Sequence, residues 1–140
     1  MHSNHFETIA IREQIDRSQQ KEHVTSLYLT SSFTFDSAEH GAALFKGEAD
    51  GNLYSRFSNP NTSEFITKLS KLEGYNHGVA TASGMAAVYT SFAALVTSGD
   101  HIVASANIFG NSRYILEHIL PKMNVTCTFV DVQDLSLIHI

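Results

Sequence analysis

Two short stretches carry the residue types best suited to chemistry. In Ala80-Thr-Ala-Ser-Gly-Met-Ala-Ala, a run of small residues leads into Ser83, Gly84 and Met85, where an extended segment should turn into a helix. The first turn of a helix presents N–H groups without partners and a partial positive charge, which suits a phosphate. Gly84 lets a ligand come close to the backbone, and Ser83 can cap the helix or bond the anion. In Tyr54-Ser-Arg-Phe-Ser-Asn-Pro-Asn-Thr, Arg56 offers a planar, permanently charged clamp for a phosphate and Tyr54 a phenol donor. Taken singly, each stretch has a plainer reading. The first is an ordinary strand–helix junction, the second a surface arginine beside a packing tyrosine.

Other chemistries find less support. The eight histidines are scattered, and no cysteine or carboxylate completes a ligand set around His2 and His5 or around any other pair, so no metal is expected. The single cysteine, Cys127, excludes an intramolecular disulfide framework. It alternates with Val125 and Phe129 on one strand face and reads as a small core residue. Lys21, Lys46, Lys68, Lys71 and Lys122 read as solvated surface lysines. Nine basic against fourteen acidic residues give a net charge of −5, without a basic cluster, which argues against nucleic acid. No apolar run approaches the ~20 residues of a membrane span, and the first residues lack the basic and apolar regions of a signal peptide. A cytoplasmic protein with no membrane partner is the expectation.

The elements that must position these residues follow from periodicity. A length of 140 residues suggests about one domain. Phe6, Ile9 and Ala10 share a helical face, as do Ile11 and Ile15, so one weak helix is expected near the start. Residues 26–35 read as extended. Ser37 is placed to cap a short helix to Phe45. Residues 1–60 lack a regular alternation of strong elements and read as an arm. From residue 61 the pattern strengthens. Asn61 and Glu64 resemble a capping box, with Phe65, Leu69 and Leu72 on one face and Gly74 as a stop. Residues 78–82 read as a short buried strand. Ser83 then caps a helix to about Val96 that is apolar nearly all round and calls for burial on most sides. His101–Ala104 and Val125–Val130 read as strands, with a helix over 112–120 stopped by Pro121 between them. The order β-α-β-α-β implies a mostly parallel sheet and an α/β fold.

Read together, the two chemical stretches resemble the cystathionine γ-synthase-like family of pyridoxal-phosphate enzymes of cysteine and methionine metabolism. The resemblance runs from about Glu7 to Leu135. It includes Glu7-Thr-Ile-Ala-Ile-Arg, Thr30-Ser-Ser-Phe-Thr-Phe, Gly51-Asn-Leu-Tyr-Ser-Arg-Phe-Ser-Asn-Pro, Leu72-Glu-Gly, Ala80-Thr-Ala-Ser-Gly-Met and Ser98-Gly-Asp-His. It implies a fold-type I large domain, here partial over 61–134 and preceded by the arm 1–60, which would contact the neighbouring subunit. It also implies a homo-oligomer, a dimer of dimers, acting on small amino-acid substrates. The cofactor implied is pyridoxal 5'-phosphate. Gly84 and Met85, with Ser83, would hold its phosphate, while Tyr54 and Arg56 would reach it from the adjoining subunit. Phe109 stands where most relatives carry a tyrosine stacked on the pyridine ring; it can stack but cannot move a proton. Some sulfhydrylases of the family also carry Phe there, which inclines the reading to those acting on O-succinylhomoserine. The alternative for Phe109 is a core residue at a helix start.

The resemblance implies γ-replacement on O-succinyl- or O-acetylhomoserine with sulfide, giving homocysteine. Cystathionine γ-synthase or γ-lyase chemistry, or a non-catalytic phosphate-binding fragment, are the alternatives. The family's Schiff-base lysine lies in a Ser-x-Thr-Lys context that none of the five lysines shares. No catalytic residue is therefore expected among these 140 residues, and the chain alone is expected to be inactive. Alone, it is also expected to expose apolar surface on Gly84–Val96 and on its last strand, and so to aggregate. Relatives read Asn-Pro-Thr where this chain has Asn59-Pro60-Asn61-Thr62; the difference falls at the helix cap and is expected to leave the chemistry alone. The last six residues, Leu135-Ser-Leu-Ile-His-Ile, equal the translation of a transposon-end sequencing adapter. Residues 135–140 are accordingly read as a tail outside the fold of a truncated reading frame; other codons in the underlying DNA would remove that reading.

Overall fold

The computed structural model describes residues 5–13, 17–134 and 136. Ile15, His2, His139 and the tail apart from Ser136 lie outside the described residues. The chain divides into two units, Met1–Ala80 and Thr81–Ile140.

The first unit holds three helices: α1 (Phe6–Arg12), α2 (Ala38–Lys46) and α3 (Pro60–Leu72). Ser37 caps α2 as expected, its side chain accepting the His40 N–H, and Gly47 closes the helix at φ 73°, a left-handed position that favours glycine. Leu44 is the buried anchor of α2. The cap of α3 departs from expectation. Asn59, not Asn61, takes that place, accepting the Asn61 N–H at 2.9 Å. Pro60 explains the shift: it has no N–H to leave unpaired and its fixed φ suits the first helical position. Lys71 of α3 pairs with Glu13 just beyond α1, and Lys68 with Glu64 at 3.6 Å.

The second unit is built on two parallel strands, β1 (His101–Ser105) and β2 (Thr126–Val130), with Ile102 opposite Cys127 and Ala104 opposite Phe129. The helix α4 (Gly84–Leu95) precedes β1, and α5 (Gly110–Tyr114) follows it. Leu116, Leu120 and Val125, each 1% exposed, form the centre of the core with Ile115, and Met85, Val88, Phe92 and Val96 pack on it from α4 and its end. Burying each such side chain contributes roughly 1.5–3 kcal/mol.

Three expectations are corrected here. Residues 78–82 form no strand: β1 and β2 pair with each other, and a strand exists only with a ladder partner. α4 has no buried residue, and Leu95 is 83% exposed. The helix packs along one side only, with Met85, Val88 and Phe92 against Leu116, Leu120 and Val125, and most of its other positions stay open whatever their composition. Pro121 does not end its helix. The chain widens into a π-helical turn over Ile115–Ile119, then tightens into a 3₁₀ turn, Leu120–Met123, that contains the proline. A proline can give no N–H to the carbonyl four residues back and its ring crowds that carbonyl, so the regular ladder cannot pass through it.

Cys127 is half-buried against the core. Burial first, then the Glu117 carboxylate, push its thiol above the ordinary value, with Arg113 opposing. At pH 8 it therefore holds less thiolate than an ordinary cysteine of pKa ~8.5. Alkylation by iodoacetamide should rise with pH along a curve displaced upward, and a half-rise at or below that ordinary value would contradict this placement. Leu116→Ala should cost about 2–5 kcal/mol, read as a lowered urea midpoint.

Candidate functional site

α4 begins with Ser83, whose Oγ accepts the Ala86 N–H at 3.1 Å while its carbonyl accepts the Ala87 N–H at 3.0 Å. Thr81 Oγ1 donates to the Ser83 carbonyl at 2.9 Å, which fixes the approach to the helix. The N–H groups of Gly84 and Met85 have no partner among the described residues. No acidic residue stands in the first turn, and a side chain added at Gly84 would meet nothing within 4 Å. Two unpaired donors, a hydroxyl still free to donate, positive helix-end potential and open space in front of Gly84 together suit an oxyanion such as phosphate. The Met85 side chain packs on the core, which anchors the first turn of α4 that carries these donors.

Phe109 precedes α5 and is 67% exposed, so it is not the core residue that the alternative reading allowed. It follows the C-terminal end of β1. The α4–β1 connection (97–100) lies at the opposite end, beside β2's start, where Thr126 N–H donates to the Asp100 carbonyl. The Phe109 loop therefore belongs to the end of the sheet where the strands finish, the usual ligand edge of a parallel sheet, and α4 contacts the α5 that follows this loop. Arg113, which the sequence reading overlooked, anchors that loop. Its Nη1 donates to the Ala106 carbonyl at 3.1 Å, its Nε to Glu117 Oε1 at 2.8 Å, and its guanidinium lies 4.2 Å from the Phe129 ring centre. Only the Arg113–Glu117 pair, four apart on a helix, left a signal in the sequence.

Tyr54 and Arg56 lie together in the first unit. The Arg56 guanidinium stacks 5.3 Å from the Tyr54 ring centre and 5.0 Å from that of Phe57. It has no acceptor among the described residues, so two aromatic rings hold a cation whose donors are free for an anion. Tyr54 bridges antiparallel to Ser32. Between them Ser55 points the other way and donates from Oγ to the Thr30 carbonyl. The six residues named in the sequence thus form two groups: Ser83, Gly84, Met85 and Phe109 in one unit, Tyr54 and Arg56 in the other. No group of three or more metal-ligating side chains exists among the described residues. Nor is any helix among them long and apolar enough to cross a membrane.

A family model described as Cys/Met metabolism PLP-dependent enzyme matches residues 7–139. The chain belongs to this family. It is 42% identical over 129 residues to an O-succinylhomoserine sulfhydrylase of Mycobacterium tuberculosis, covering 92% of this chain and 32% of that protein. It is 39% identical over 109 residues to an L-methionine gamma-lyase of Porphyromonas gingivalis, covering 78% and 27%. Among solved structures, a chain described as an O-acetylhomoserine (thiol)-lyase from Campylobacter jejuni superposes with a TM-score of 0.89 at 29% identity, covering 96% of this chain and 33% of that one. It carries a pyridoxyl phosphate on a lysine. The α/β units are thus part of the fold-type I architecture, and the chain spans about a third of the length of the curated relatives it matches. The cofactor of the family is pyridoxal 5'-phosphate (PLP), and the donors at the start of α4 fit its dianionic phosphate.

The Ser83 cap can be tested apart from any ligand. Ser83→Ala should cost about 1 kcal/mol and Ser83→Gly a few tenths, measured by thermal unfolding. A Ser83→Ala variant as stable as the parent would mean that the hydroxyl contributes nothing to the helix start.

Proposed function

We propose that the full-length protein replaces the acyloxy group of O-succinyl- or O-acetylhomoserine with sulfide, giving homocysteine, in a cytoplasmic homo-oligomer. The N–H groups of Gly84 and Met85 donate to the cofactor phosphate, and the Ser83 hydroxyl adds a third donor. Tyr54 and Arg56 of an adjoining subunit reach the same phosphate, so that neither subunit holds it alone. The exposed ring of Phe109 would stack on the pyridine ring of the cofactor. Bound PLP supplies the electron sink that makes proton loss from the substrate carbon possible. Phe109 holds no proton, so the ring-stacking position orients the cofactor while proton transfer falls to other groups.

The observation that supports this reading is the pair of unpaired amide donors at Gly84 and Met85, in a unit that also carries the exposed ring of Phe109. The sulfhydrylase likeness and Phe109 favour replacement by sulfide. A second reading, net γ-elimination, is favoured by the likeness to the gamma-lyase. Full-length enzyme given O-succinylhomoserine and sulfide should form homocysteine. If 2-oxobutyrate appears instead at a rate indifferent to sulfide, elimination is the reaction.

Arg56→Ala should weaken PLP binding by roughly 10–100-fold, the worth of a charge-assisted contact. Phe109→Ala should weaken it by up to about tenfold while Phe109→Tyr leaves it near the original, because stacking survives in the second alone. Fluorescence titration of the apoenzyme measures all three. Identical affinities for Phe109→Ala and the parent would remove the stacking role.

A further inference from the structure

The extended segment before α2 is held in an unusual way. Ser26 to Ser32 are all exposed, with Leu27 at 78% and Leu29 at 92%. Buried apolar contact therefore cannot fix it, and its position rests on hydrogen bonds to residues 53–61. The Phe33 N–H donates to the Leu53 carbonyl at 3.1 Å, and the Ser55 N–H to the Ser31 carbonyl at 2.8 Å. Asn59, 8% exposed, donates from Nδ2 to the Tyr28 carbonyl at 3.0 Å and to Ser55 Oγ at 3.0 Å. At the head of this line stands Asn61. Its Oδ1 accepts the Tyr28 N–H at 2.8 Å, and its Nδ2 donates to the Ser26 carbonyl at 2.7 Å. These groups flank Leu27, and the side-chain amide meets them as the N–H and C=O of one residue in a neighbouring parallel strand would. One end must accept and the other must donate, so the orientation of the amide is determined.

We propose that Asn61 is a positioning residue: by standing in for one residue of a neighbouring strand it fixes segment 26–33, and through that segment it sets Tyr54 and Arg56 for the anion they bind. The consequence for the cofactor rests on the function proposed above; the clamp itself does not. The sequence expectation that residue 61 is a matter of helix capping is replaced by this role. Asn61 can act so because its own N–H is already tied to Asn59 Oδ1, which locks the first turn of α3 beneath the clamp. A threonine carries donor and acceptor on one oxygen, closer to the backbone, and cannot span both sides of Leu27 as an amide does. The clamp also transmits to the pair directly: Tyr54 sits between Leu53 and Ser55, both of which bond the segment, and Arg56 is the next residue.

The test uses the full-length holoenzyme and the variants Asn61→Leu, Asn61→Asp, Thr62→Ala and Arg56→Ala. Asn61→Leu keeps the volume and removes both bonds; Asn61→Asp keeps the acceptor for Tyr28 and loses the donor to Ser26. Amide exchange over 26–33, followed by mass spectrometry, should quicken by about tenfold in Asn61→Leu, less in Asn61→Asp and not at all in Thr62→Ala. Binding of PLP to the apoenzyme should weaken about tenfold in Asn61→Leu, while binding of pyridoxal, which lacks the phosphate, should not change. Unchanged exchange in both Asn61 variants overturns the proposal. So does faster exchange with unaltered PLP binding if Arg56→Ala does weaken it. Where Arg56→Ala also has no effect, the cofactor reading is what fails, and exchange at Leu53–Arg56 decides the positioning role by itself. Should Asn61→Leu not fold, Asn61→Asp carries the same comparisons.

Discussion

Backbone amides at the start of α4 cannot be satisfied by the helix they begin, and everything proposed about ligand binding depends on where those amides are held. A helix leaves its first N–H groups without internal partners, and the Ser83 side chain relieves one of them at Ala86. The N–H groups of Gly84 and Met85 remain unpaired among the described residues, with open space in front of Gly84. Their direction is set by packing beneath them. Met85, Val88, Phe92 and Val96 lie against Leu116, Leu120 and Val125, so the donors are exposed while the helix that carries them is anchored. A small set of apolar contacts thereby becomes a fixed patch of positive potential.

A second kind of anchoring operates in the first unit. There the cation of Arg56 is held by the faces of Tyr54 and Phe57, without a carboxylate that would neutralise it. The backbone around it is tied by the side chains of Ser55, Asn59 and Asn61 to a segment that buries almost nothing. Within Tyr54–Asn61, Tyr54, Arg56 and Phe57 are exposed, while Ser55, Asn59 and Asn61 bond the chain itself. Chemistry and support thus share one short stretch.

The features legible in the sequence were those whose causes are local. Ser37 and Ser83 announced their helices because a cap bonds an amide three residues on. The β-branched runs announced β1 and β2, and the small-residue turn before α4 announced its donors. Where the cause was remote, the reading failed or was silent. Residues 78–82 have strand composition, but strand formation depends on a partner, and composition does not supply one. Asn61 looked like a cap because Glu64 follows at the right spacing, whereas its partners are Ser26 and Tyr28, more than thirty residues back. Arg113 gave no sign that it would reach the Ala106 carbonyl from the far side of a turn. The burial of α4 was overestimated for a related reason: hydrophobicity all round a helix states what the helix tolerates, and the neighbours decide how much of it is covered.

The widened turn at Ile115–Ile119 constrains how this stretch can vary. A π-helical turn holds one more residue than a regular turn, and each residue of a regular helix rotates the chain by about 100°. Deleting a single position there would restore a regular helix and swing Leu120, Pro121 and the start of β2 around its axis. Sequence drift at 115–119 is therefore free to change letters but not to change their number, and gaps in this protein's lineage should gather in the loops on either side.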